Sequence, residues 1–105
     1  MGYTLKATCS NCKLNKSLTY GAGMMNFEKQ CFIPAIDDDG KLISADSKDE
    51  KNKNLQYYTV PMSEEIIDNI DDYIEWMDYA LPRENNKCPQ CSQHSLRFEV
   101  TALFD

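Results

Sequence analysis

Two cysteine pairs of identical spacing, Cys9-Ser10-Asn11-Cys12 and Cys88-Pro89-Gln90-Cys91, stand near opposite ends of a 105-residue chain. Two residues between cysteines let a tight turn aim both sulfurs at one point, and two such turns complete a tetrahedral shell of four thiolates. One pair is weak evidence and two are strong. The pattern predicts one structural metal site with Cys9, Cys12, Cys88 and Cys91 as ligands. Zinc stands ahead of iron there, because zinc dominates structural four-cysteine sites. The middle of the chain must then fold in a way that lets its two ends meet.

The remaining composition agrees with thiols that stay reduced. The cysteine count is five, an odd number, and no secretory apolar segment opens the chain. Lys6 stands where a myristoylation signal needs Ser or Thr. Apolar runs such as Ala102-Leu103-Phe104 are far shorter than the roughly 18 residues of a membrane span. A cytoplasmic location is expected. A chain of this length has room for one domain and a modest core.

Tyr3, Leu5 and Ala7 alternate with Thr4, Lys6 and Thr8, the period-two mark of a half-buried strand. Leu14, Leu18 and Tyr20 continue it after a turn, and Leu96, Phe98, Val100, Ala102 and Phe104 alternate with Arg97, Glu99 and Thr101 at the far end. Cys31 to Ile36 and Leu55 to Val60 are shorter β-prone runs, and Pro34 suits only an edge strand or a bulge. Asp39-Gly40 signals a hairpin. A mobile loop is expected over about 44–54, because 47–54 has almost nothing to bury. From about 63 to 81 the period becomes helical, with Ile66, Ile70, Tyr73, Ile74, Met77 and Leu81 recurring, Ser63 as N-cap and Pro82 as terminator. The expected fold class is α+β: a zinc-ribbon-type antiparallel sheet from both termini, with a hairpin-like insertion and one amphipathic helix, in a single domain over 1–105.

The insertion is long, since residues 13–87 are 75 in number. Closing a loop of 75 rather than about 20 residues costs only about 1.2 kcal/mol more, while structural zinc contributes on the order of 10 kcal/mol. The knuckle at Cys9 and Cys12, the turn Gly21-Ala22-Gly23-Met24-Met25 and the late knuckle at Cys88 and Cys91 resemble a group of small bacterial zinc-ribbon proteins of uncharacterised function. Half of the chain is covered by that resemblance, with Gly21, Gly23 and Met24 as its turn residues, and the insertion is unmatched. It implies a metal site and no activity. Rubredoxin-type knuckles carry glycine after the second cysteine; Lys13 and Ser92 stand there, which speaks against iron.

The charge is unevenly spread. Net charge is −6, and residues 31–82, with four lysines and thirteen acids, account for −9 of it. Between Glu64 and Asp78 there are seven acids and no cation, which predicts a solvated helix face or a contact for a basic protein partner. The rival is a nucleic-acid-associated ribbon, with Lys6, Lys13 and Lys16 beside Tyr3 and Tyr20. Residues 1–30 carry only +3, which a formally −2 centre of four thiolates and one divalent cation reduces further. A third reading takes the cysteine pairs as redox dithiols, but no helix follows either pair to stabilise a thiolate.

Other residues have plain readings. His94 is expected as a surface turn residue and Cys31 as a small core residue. Asp37-Asp38-Asp39-Gly40 fails the EF-hand register, since Ala35 would stand first and Asp46 last. Gly21-Ala22-Gly23 lacks the ending of a phosphate loop, and Met24, Met25 and Phe27 are expected to pack over the sheet. No nucleophile, base and orienter can be assembled around a single histidine, and four cysteines leave a metal no open position. The expectation is a small interaction or adaptor protein with one structural zinc, no catalysis, no small-molecule substrate and no membrane.

Overall fold

Strand β1 (Gly2–Cys9) lies between β2 (Asn15–Gly21) and β6 (Leu96–Phe104), so the two ends of the chain pair directly. The computed structural model describes residues 2–22, 30–59 and 70–104. Its remaining strands are β3 (Phe32–Ile36), β4 (Leu42–Asp46) and β5 (Gln56–Tyr57), and its helix is α1 (Ile70–Ala80). The sheet order is β4-β3-β2-β1-β6, with β5 on β3 and every pairing antiparallel. The described residues form a small α+β domain, mostly antiparallel sheet with one α-helix.

Alternation places Leu5, Ala7 and Cys9 of β1, Leu18 and Tyr20 of β2, and Leu96 and Phe98 of β6 in one buried layer. Lys6, Ser17, Arg97 and Glu99 occupy the opposite, solvated face, where Lys6 stands across from Glu99. Helix α1 covers the apolar layer through Trp76 and Met77, with Leu81 just beyond its end. The Trp76 and Tyr20 rings meet tilted by 41°, with centroids 5.5 Å apart. Trp76, absent from the expected helical stripe, sits one residue from Met77 and widens the apolar face. The expected N-cap at Ser63 and the residues up to 69 lie outside the described residues, as do Gly23, Met24, Met25 and Phe27.

Three expectations need correction. The alternation of β6 does not run through to Phe104. Thr4 pairs with Ala102 while Leu5 pairs with Val100, so Thr101 is an extra residue, and its hydroxyl donates to the Thr4 carbonyl at 3.1 Å. The bulge exposes Ala102 and moves Leu103 opposite Tyr3. Pro34 does not lie on an outer strand, because β3 has β4 on one side and parts of β2 and β5 on the other. It stands between the Gly21–Phe32 pair and the Ala35–Tyr57 pair, where the Tyr58 N–H donates to its carbonyl at 3.0 Å. Its missing N–H therefore falls on the side where β3 changes partners and not within the continuous β3–β4 ladder.

The third correction concerns 44–54. Residues up to Asp46 belong to β4, which pairs with β3 along its whole length, and Glu50–Asn52 form a 3-10 turn capped by the Asp49 carboxylate. The Asp46 carboxylate accepts from the Cys31 and Lys48 N–H groups, both at 3.1 Å, and its carbonyl accepts from the Asn52 side chain. Polar side chains that bury nothing have tied the backbone locally. The β3–β4 hairpin turns where Asp39-Gly40 predicts: Gly40 adopts φ +78°, and the Asp37 carboxylate accepts from Asp39 N–H at 2.9 Å and Lys41 N–H at 2.8 Å. One Asp37 oxygen thus serves the turn itself. No helix among the described residues is long and apolar enough to cross a membrane.

Candidate metal centre

The two cysteine pairs fold into the same turn. Cys9 N–H donates to the Leu14 carbonyl at 2.9 Å and Lys13 N–H to the Cys9 carbonyl at 3.0 Å. In the second knuckle Cys88 N–H donates to the Gln93 carbonyl at 2.8 Å and Ser92 N–H to the Cys88 carbonyl at 2.9 Å. Lys13 and Ser92 close these turns with φ of 64° and 63°, the left-handed conformation that glycine adopts without steric cost. The positions that carry glycine in rubredoxin-type knuckles thus keep that backbone here without it.

Strand pairing sets the knuckles face to face. The first caps the β1–β2 hairpin. The second caps a shorter one closed by Asn86, whose N–H and carbonyl both bond Leu96 and whose side chain donates to the Pro82 carbonyl at 2.7 Å. Because Cys9 pairs with Leu96 across β1 and β6, the two tips converge. All four sulfurs, of Cys9, Cys12, Cys88 and Cys91, lie within 4.8 Å of one another. Two sulfur contacts join different knuckles: Cys9 to Cys91 at 3.6 Å and Cys12 to Cys88 at 3.5 Å. A tetrahedral shell with metal–sulfur bonds of about 2.3 Å sets sulfurs about 3.8 Å apart, so the cluster fits such an ion. A disulfide needs about 2.05 Å, and all five cysteines are free thiols.

Cys9 and Cys88 are buried and belong to the hydrophobic core, whereas Cys12 and Cys91 are partly exposed. The sulfurs are held differently. The Ser95 hydroxyl, 3.0 Å from Cys9 Sγ, and the Cys12 N–H lower the Cys9 thiol to about 6. Desolvation pushes Cys12 up to about 12. The Asn11 side chain, followed by the Gln93 N–H, lowers Cys91. Four thiolates this close repel one another, and a divalent cation at their centre removes that repulsion.

His94 stays outside the cluster, with Nδ1 3.3 Å from the Asn85 carbonyl. Cys31 is buried in the core, and burial pushes its thiol up to about 11. The fold therefore favours its protonated form. That contribution is complete below the ordinary thiol value near 9 and is lost as pH rises through 11, at up to about 1.4 kcal/mol per pH unit. Tyr58, pushed up to about 12 by burial, acts in the same direction. The urea midpoint of wild-type protein is expected to fall between pH 9 and 11, and Cys31→Ala is expected to fall less steeply.

Of the residues in the nucleic-acid reading, Tyr3 and Tyr20 stand opposite each other on β1 and β2, with ring centroids 6.2 Å apart, while Lys6 lies on the other face of the sheet. Tyr20 is buried against Trp76, and the Tyr3 hydroxyl donates to Asp78. Lys16 donates to the Leu42 carbonyl. Sequence reading missed Ser95, Asn11 and Asn86 as supports of the site. Ser95 follows the second knuckle by four residues but serves the first, a relation that spacing does not encode. No protein-family model, curated protein or solved structure matches the chain.

Proposed function

We propose that this protein is a small, non-catalytic interaction or adaptor module built as a zinc ribbon, with one structural zinc held by Cys9, Cys12, Cys88 and Cys91. The convergence of four sulfurs within 4.8 Å, from knuckles at opposite ends of the chain, is the observation that carries this reading. Zinc is favoured because it dominates four-cysteine structural sites and imposes no geometry beyond the tetrahedron. Such a shell leaves no position for an activated water, and His94, the only histidine, is turned to a backbone carbonyl. A compartment that keeps thiols reduced, the cytoplasm, suits the site.

The partner is a basic protein surface, and α1 is the contact. Asp71, Glu75 and Asp78 are exposed on it with Tyr79, and no basic residue stands in its last turn. A helix this one-sided repels itself, and an oppositely charged partner relieves that. In a pull-down from cell extract, Asp71→Lys with Glu75→Lys is expected to lose the captured partner, and raising salt from 50 to 500 mM to weaken it. Capture unchanged by both would sink the partner reading and leave the metal site standing. The separation of Tyr3 and Tyr20 from Lys6 favours this over the nucleic-acid alternative.

A further inference from the structure

We infer that Ser95 is a positioning residue for the metal centre, its hydroxyl donating a hydrogen bond to the Cys9 thiolate and so setting how firmly the ion is held. The inference rests on the metal reading above. Ser95 Oγ lies 3.0 Å from Cys9 Sγ, close for a contact to sulfur. A metal-bound thiolate has no proton to give, so the hydroxyl must be the donor. The backbone directs it: the Ser10 N–H donates to the Ser95 carbonyl at 3.4 Å, and Ser95 immediately precedes β6, which pairs with β1.

The contact links the two knuckles by a route independent of the ion. Ser95 leaves the second knuckle, while Cys9 opens the first. Two backbone N–H groups, of Asn11 and Cys12, also point to Cys9, so it collects more donors than Cys12, which receives the Leu14 N–H. Hydrogen bonds draw charge from a thiolate and fix its direction, and loss of such a partner typically costs 10–100-fold in metal affinity. Cys9 is also buried, so few other donors reach its sulfur. Ser95 therefore makes Cys9 a better-anchored corner of the shell than Cys12.

Cobalt(II) reports this directly, because its thiolate charge-transfer band shifts with sulfur electron density whatever fraction of the protein is folded. In full-length protein loaded with cobalt, Ser95→Ala is expected to move the band to lower energy and to weaken cobalt binding 10–100-fold in chelator competition. Ser95→Thr, which keeps the hydroxyl, is expected to restore both. Wild-type protein that binds cobalt with a band and affinity shared by Ser95→Ala would overturn the role of Ser95 alone. Wild-type protein that takes up no cobalt would overturn the metal reading and this inference with it. An affinity loss in Ser95→Ala with no band shift, or one that Ser95→Thr does not rescue, would also overturn it, since that is what loss of packing produces.

Discussion

Cys88→Ser is expected to abolish cooperative folding at 25 °C, the largest effect of any single substitution in this chain. Cys88 is fully buried and is both a ligand candidate and a core residue. A serine leaves a three-thiolate shell and an unmatched hydroxyl in an apolar layer. Structural zinc contributes on the order of 10 kcal/mol, and domains of this size hold only about 5–15 kcal/mol in total. The 75-residue excursion then has no cross-link at its base. Thermal unfolding followed by circular dichroism checks this, with Cys31→Ala as the control. That cysteine is similarly buried but stands apart from the four clustered sulfurs, so its loss should cost about 1 kcal/mol. Cys88→Ser with a transition as sharp as that of Cys31→Ala would mean that the site does not hold the fold.

Trp76→Ala is expected to cost about 3–5 kcal/mol while leaving metal stoichiometry unchanged. Trp76 is buried on α1 and meets Tyr20, whose own ring neighbours Tyr3 at 6.2 Å. Removing the indole opens a cavity between helix and sheet. Among the described residues, the end of α1 is otherwise held by Met77, Leu81, the Tyr3 hydroxyl, which donates to Asp78, and the Thr59 hydroxyl, which donates to the Ala80 carbonyl at 2.6 Å. The knuckles stand at the ends of β1, β2 and β6 and, among the described residues, share no backbone bond with α1. Urea unfolding read by circular dichroism, with metal analysis on the same sample, separates the two effects. Loss of metal along with stability would show that helix packing and ligand geometry are one cooperative unit.

The candidate site was legible because its information is local. Two cysteine pairs with two-residue gaps dictate two like turns, and strands on either side dictate where the turns stand. Alternation likewise gave β1, β2 and the first half of β6. Legibility ended where long-range placement took over. The bulge at Thr101 reverses the alternation of β6, and nothing in Val100-Thr101-Ala102 announces it. Pro34 is tolerated inside the sheet only because β2 ends and β5 begins on the same edge of β3. The 47–54 segment looked featureless because its order comes from Asp46 and Asp49 bonding nearby backbone, not from burial. Ser95 looked like an ordinary turn residue because its partner is 86 positions away.

We propose that Cys9, Cys12, Cys88 and Cys91 hold one metal ion and thereby close the chain on itself. Metal analysis of purified protein, combined with site-resolved thiol labelling before and after chelation, tests it most directly. One zinc per chain is expected, with those four cysteines protected until the chelator is added and labelled afterwards. Protein that carries no metal and contains a disulfide among these cysteines would contradict it.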